Sequence, residues 1–292
     1  AGNLARARKA RGAAKGADLI LFPELFIVGY PPEDLVLIPA FRRAAIEAAE
    51  KVASQTANLT CDVIFGSLWE EEGRIYNASL LASKGALTVL RTKHDLPNYG
   101  VFDEKRVFDE GATPTIINWR GINLGLLICE EVWDVSLAKS LAAQGAELVL
   151  VQNASPYHLG KASQRAVVVN AAVQETGLPV VYLNLVGGQD ELVFDGRSYV
   201  VDSTGKDVAR LPGFREALAI TKWERKDSAG RSSRVGESRA AAHAPGGMGA
   251  VPPSNNSWHC TSGPMETIRS DEETIYHALV LGLQIGRASC RE

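Results

Sequence analysis

The chain has 292 residues, 46% hydrophobic and 22% charged, with a formal net charge of −3 and a sequence pI near 6.0. That is ordinary globular composition, enough for one large domain or two small ones, and it carries no global basic field for a nucleic-acid partner. Its longest apolar runs, 124–128 and 148–151, are far too short to span a bilayer, no charged-then-apolar signal segment opens the chain, and its four dispersed cysteines form no CxxC pair. A reduced, cytoplasmic setting without membrane contact is therefore expected.

In chain order, Arg6, Arg8, Lys9 and Arg11 are spread along an Ala-rich stretch and read as the wet face of a helix. Residues 18–22 are continuously apolar, as in a strand buried on both faces. Residues 39–53 carry apolar positions at helical spacing. Strands are predicted over 63–68, 79–81 and 87–92, and the strongest buried strand over 123–128. A helix over 134–143 follows at once, with Asp134 as its N-cap. Two further apolar strands, 147–152 and 179–185, flank a helix over 161–175. From Glu191 the pattern turns to hairpins: ELVFD, SYVVD, a Ser-Thr-Gly-Lys turn and DVARL. Such alternation predicts a layered α/β domain over 1–223.

Regularity stops at 224–257, a Gly/Ser/Pro/Ala/Arg-rich stretch with no apolar period, which reads as a low-complexity linker or insertion. Within 258–284 an amphipathic helix resumes at 270–283, where Ser270 and Glu273 form a capping box. The closing IGRASCRE, 285–292, breaks the pattern and is expected to be a non-native tail, which removes Cys290 from any functional argument.

Three positions combine a reactive side chain with a strand end. Glu24, in LILFPEL, follows a buried strand by one proline; a carboxylate at a sheet rim can serve as a base, and equally can be a solvated loop residue. Lys93 closes a strand in LRTKHD, where it could stabilise an oxyanion or act on a neighbouring thiol, or be a surface charge. Cys129, in GLLICEEVWD, ends a buried strand just before a helix. That is the strand–nucleophile–helix layout of other hydrolases, and the helix end would favour thiolate and oxyanion alike; the alternative is a small buried hydrophobe. Strand ends on one edge of an α/β fold converge on one cleft, so the three make a coherent centre for attack on a carbonyl. No metal-ligand spacing, Walker loop or GxGxxG motif occurs, so no metal is expected.

At these residues the sequence resembles the nitrilase, or carbon–nitrogen hydrolase, superfamily. More narrowly it resembles the amidotransferase domain of glutamine-dependent NAD synthetases, through PELFIVGYPPEDL, KHDLPNYGVFDEKRVF, ICEEVWD, NASPYHLGKASQR and LNLVGGQDELVFDG. The resemblance implies an αββα sandwich, here with its N-terminal strand missing. It implies Glu24 as general base, Lys93 as oxyanion stabiliser, Cys129 as nucleophile and Glu104 as a second active-site carboxylate. Tyr99, Glu130, Trp133, Ser155 and Arg165 would hold glutamine, Arg165 by a bidentate grip on the α-carboxylate; core aromatics, a capping serine and a surface ion pair at Glu104 are the structural alternatives. Tyr30 and the 187–191 loop would serve communication or ammonia transfer. The resemblance further implies a homo-oligomer and a synthetase domain fused downstream, to which ATP and Mg would belong; its SGGxDS-type loop does not occur in this chain. The competing enzymatic reading is a stand-alone amidase acting on another small amide. A non-catalytic scaffold would have lost a triad member, and all three are present.

Overall fold

The computed structural model describes residues 2–14, 16–226, 232–233, 257–267 and 269–289. The first sheet has the order β1 (Leu19–Leu21), β2 (Asp62–Glu71), β3 (Arg74–Ser83), β4 (Ala86–Thr92), with β1 parallel to β2 and antiparallel pairing thereafter. The second sheet begins with β5 (Ile117–Trp119) and β6 (Ile122–Ile128), followed by β7 (Leu148–Asn153) and β8 (Val180–Asn184), with β6, β7 and β8 mutually parallel. A hairpin of β9 (Val186–Gln189) and β10 (Leu192–Asp195) projects from it. β11 (Tyr199–Val201) and β12 (Asp207–Arg210) then complete the order β12-β11-β8-β7-β6-β5.

Alternation along the strands decides the layering. In β6, Ile122, Leu124 and Leu126 pack between the sheets against Ile64, Leu81 and Leu150, while Leu127 faces the other way. That other face is covered by α3 (Val135–Ala143) and α4 (Lys161–Thr176) through Leu137, Leu141, Val169 and Val173. Gly125 lies on this face too, where a Cβ would come 3.1 Å from the Leu141 side chain. On the first sheet, Val63, Phe65 and Leu80 face α1 (Gly2–Ala13) and α2 (Pro39–Ser54) through Ala7, Ala49, Val52 and Ala53. The result is helices, sheet, sheet, helices: the αββα sandwich, with continuous apolar strands because both faces of each sheet are covered. Asp134 caps α3 as its position suggests, accepting from the Ser136 amide at 2.8 Å. Among the described residues β1 and β4 are the edge strands of the first sheet.

Two expectations are corrected. The boundary at 223 falls inside a strand, β13 (Lys222–Lys226), which pairs with β14 (Ser232–Ser233) and with β15 (Ser257–Ser262). β15 occupies the start of the 258–284 segment, ahead of the helix expected over 270–283, and carries Trp258 into the layer between the two main sheets. Six residues without a periodic neighbour give no local signal, and the pairing that makes them a strand is long-range. Residues 227–231 and 234–256 of the proposed linker lie outside the described residues. The last helix, α5 (Asp271–Ser289), starts with the Ser270–Glu273 capping box, both bonds at 3.3 Å, and continues past 284 where a break was expected; Ala and Arg there are good helix formers. The reading of 290–292 as non-native lies outside the described residues. α5 packs across the β9–β10 hairpin, burying Thr274 and Ala278.

Candidate active site

Lys93 owes its direction to an irregularity. In β4, Leu87 and Val89 face the helices, opposite Ala82 and Leu80. Strict alternation would send Arg91 and Lys93 to that face as well. A register shift leaves Leu90 unopposed, so Arg91 pairs with Ser79 and Thr92 with Ala78. The extra residue reverses the alternation. Lys93, whose amide donates to the Asn77 carbonyl at 2.8 Å, therefore points between the sheets, fully buried.

Glu24 is held from both sheets. Phe22 N–H donates to Ile64 O at 2.8 Å, and Gly66 N–H to Pro23 O at 3.0 Å. The chain after β1 lies so close to β2 that a Cβ on Gly66 would sit 2.3 Å from Leu25 N and 2.6 Å from Pro23 O. From the second sheet, Gln152 Nε2 donates to Phe22 O at 2.6 Å and the Ala154 amide to Glu24 Oε2 at 2.8 Å.

These two residues and Glu104 form one buried cluster. Lys93 Nζ donates to Glu24 Oε1 and to Glu104 Oε1, both at 2.7 Å. Asn77 Nδ2 donates to Glu24 Oε1 at 2.8 Å and to Glu104 Oε2 at 3.3 Å, and Tyr30 OH to Glu104 Oε1 at 2.8 Å. Burial alone would lower the Lys93 pKa; the charges of Glu104, Glu24 and Cys129 outweigh it and hold the ammonium well above the ordinary lysine range. Burial raises the Glu104 carboxyl against the pull of Lys93, and Glu24 adds to the rise. Burial also raises the Tyr30 phenol, with Glu104 adding to it.

Cys129 stands at the end of β6 with φ +50°, in the left-handed region, and opens a five-residue 3₁₀ turn, Cys129–Trp133, ahead of α3. For a residue with a Cβ that conformation costs about 1 kcal/mol, and it turns the thiol out of the strand line as a sharp elbow does. The thiol is buried, and burial pushes its pKa well above the ordinary range; Glu24 pushes further and Lys93 opposes only in part. Desolvation and the neighbouring Glu24 carboxylate thus work against the thiolate that the helix end was expected to favour.

The other expected residues divide. Tyr99 and Glu130 form an exposed pair, with the phenol donating to both carboxylate oxygens at 2.8 and 2.9 Å, and burial and Glu130 raising the phenol's pKa. Trp133 is partly exposed and lies under Lys161, whose Nζ is 4.3 Å from the ring centroid. Ser155 and Arg165 lie behind this surface, both buried. Arg165 Nε donates to Ser155 Oγ at 3.1 Å, Nη1 to Asp195 Oδ1 at 2.7 Å, and Nη2 to the carbonyls of Ser155 and Pro156 at 2.7 and 3.1 Å. The bidentate grip on a substrate carboxylate expected of Arg165 is therefore corrected. Its fork is closed on Asp195 and the 155–156 backbone, and it braces the loop whose Ala154 amide holds Glu24.

Sequence reasoning missed Lys161, Asn77 and Gln152. Lys161 opens α4 half-buried; burial and Arg165 lower its pKa, and it feels the charges of Cys129 and Glu130. Nothing local sets it apart from a surface lysine. Asn77 had a signal, as an amide inside an otherwise buried strand. Among the described residues no three His, Cys, Asp or Glu side chains are grouped to hold a metal ion, and no helix is long and apolar enough to cross a membrane.

Two sheets flanked by helices, enclosing a buried Glu–Lys–Glu cluster, define a class of fold, and the sequence profile of the carbon–nitrogen hydrolases matches residues 1–229: the chain belongs to the carbon–nitrogen hydrolase family. Within it, the chain is 38% identical over 273 residues to the glutamine-dependent NAD(+) synthetase of Rhodobacter capsulatus, covering 94% of this chain and 44% of that protein. It superposes on the glutamine-dependent NAD+ synthetase of Acinetobacter baumannii, solved with ADP, with a TM-score of 0.70 and 36% identity over 83% of this chain and 45% of the other. An amidase from Nesterenkonia sp. gives a TM-score of 0.63 and 29% identity, over 72% of this chain and 80% of that one. The chain thus spans less than half the length of the synthetases it matches.

Proposed function

We propose that the chain hydrolyses the side-chain amide of glutamine through Cys129, Glu24 and Lys93. The observation that carries this reading is the pair of 2.7 Å bonds that fix one buried ammonium between Glu24 and Glu104 beside a buried thiol. Glu24 takes the Sγ proton as Sγ attacks the amide carbon, and Lys93 donates to the oxygen that becomes negative. Collapse of the tetrahedral species breaks the C–N bond. The proton held by Glu24 goes to the leaving nitrogen, which departs as ammonia and leaves a thioester on Cys129. Glu24 then accepts a proton from water as its oxygen attacks the thioester, releasing glutamate and restoring the thiol. Glu104, with Tyr30 and Asn77, keeps Lys93 charged and aimed.

Glutamine differs from a simple amide in carrying an α-ammonium and an α-carboxylate. Glu130, with Tyr99 bonded to it, offers an anion for the first, and Lys161 over the Trp133 ring offers a cation for the second. Ser155 supports this surface from behind. The likeness to NAD synthetases supports one use for the ammonia: ATP- and Mg-dependent conversion of deamido-NAD to NAD by a synthetase domain of the longer protein, a cytoplasmic homo-oligomer.

The test is glutamate release from glutamine by the purified chain, with Cys129→Ala as control. Release abolished by the substitution supports the reading. A folded chain that ignores glutamine but hydrolyses a small uncharged amide such as butyramide would turn it to the amidase reading that the Nesterenkonia likeness offers.

A further inference from the structure

Two glutamates follow the nucleophile, and they go opposite ways. Glu130 reaches outward to Tyr99, whereas the Glu131 side chain is fully buried. Its carboxylate divides its two oxygens between two backbone amides. Oε1 accepts from His94 N–H at 2.6 Å, and Oε2 from Ile128 N–H at 2.6 Å. His94 is the residue after Lys93, on the first sheet's side; Ile128 is the residue before Cys129, on the second sheet. Arg91 completes the arrangement, donating to Glu131 Oε1, to Leu126 O at 2.6 Å and to Thr92 O at 3.2 Å. One carboxylate thus touches the neighbour of each reacting residue and its counter-ion crosses the same gap.

We propose that Glu131 is a positioning residue that brackets Lys93 to Cys129 across the two sheets, a role that rests on the amide-hydrolysis reading. Lys93 and Cys129 belong to different sheets, and no covalent neighbour fixes the distance between the oxyanion donor and the nucleophile. A second task falls to the same group. By closing the 3₁₀ turn onto the Ile128 amide it holds Cys129 in its left-handed conformation, which relaxation of the elbow would otherwise abandon. Charge balance with Arg91 is the competing account. It requires a negative charge near the guanidinium and is indifferent to the two amides.

Glu131→Gln keeps the volume but leaves one oxygen for two amides, and Glu131→Asp keeps the charge on a side chain one methylene shorter. Two measurements apply: steady-state glutamate release, and the rate of iodoacetamide alkylation at the peptide carrying Cys129 as a function of pH. In both variants kcat should fall about ten-fold or more with KM for glutamine within about two-fold of wild type, because misplacement of reacting groups acts on the transition state. The pH profile of alkylation should shift, and the double variant Glu131→Gln/Arg91→Gln, which restores charge balance, should stay slow. Recovery of kcat in Glu131→Asp or in the double variant would overturn the bracket in favour of charge balance. So would a folded Glu131→Gln protein with wild-type kcat and alkylation profile. If the wild-type chain released no glutamate but its alkylation profile still shifted on substitution, the glutaminase reading would fail while the bracket stood.

Discussion

At the scale of single residues, the site sets two carboxylates and one ammonium in a buried cluster, and each variant can be read through that charge count. Glu104 has its pKa raised by burial, so its contribution to stability is fully present below the pKa of an unfolded glutamate and is lost as pH rises through its folded value. Glu104→Gln is accordingly expected to stabilise the chain by about 1 kcal/mol at neutral pH, with the difference vanishing below about pH 4; thermal unfolding across pH measures it. The same variant should lose about a hundred-fold in kcat, because Lys93 loses one of its two anionic anchors. For Cys129 the sign is also set by burial: iodoacetamide should alkylate it slowly at neutral pH, with the rate still rising above about pH 8.5, where an exposed thiol levels off. Lys161→Ala should raise KM for glutamine about ten-fold with kcat nearly unchanged, since it removes an interaction made equally in ground and transition states. Steady-state kinetics decides, and an unchanged KM would remove Lys161 from the substrate site.

At the scale of elements, strand ends deliver the chemistry and their irregularities aim it. Buried strands were legible because long apolar runs at 123–128 and 147–152 leave few alternatives, and their ends located Cys129 and, with Pro23, Glu24. The bulge at Leu90 was not legible, because nothing in ALTVLRTK marks which residue goes unpaired; the choice is made by the partner strand. Gly66 is the element-level test. Its missing Cβ admits the Glu24 backbone, so Gly66→Ala should push that loop away, cost about 2 kcal/mol of stability and lower kcat about a hundred-fold. A variant with near-normal kcat in the glutamate-release assay would show that the loop yields without moving the carboxylate.

At the scale of the whole molecule, the site exists only because two sheets meet. Glu24, Lys93 and Glu104 stand on the side of the first sheet, Cys129 and the Ala154 amide on the second, and Gln152, Glu131 and Arg91 join the two. The small sheet of β13, β14 and β15 adds to this contact from a segment that composition had assigned to a linker and a helix. Trp258→Ala should cost about 3 kcal/mol in urea unfolding, because its buried indole belongs to the apolar cluster between the sheets that includes Trp119 and Leu150; a loss within about 0.5 kcal/mol would make β15 peripheral.

By itself the sequence determined the layered α/β class, most strands and helices, and the strand-end positions of Glu24, Lys93 and Cys129, since burial on both faces of a strand and the end of that burial are properties of contiguous residues; Glu104 entered only through the family resemblance. Tertiary structure alone decided which polar groups answer one another. Arg165 and Lys161 are cations four residues apart on one helix, and only the surroundings make the first a brace closed on Asp195 and the second a half-buried cation over the Trp133 ring. A side chain's type is local, whereas its partners, its dielectric and therefore its charge are set by residues far away along the chain.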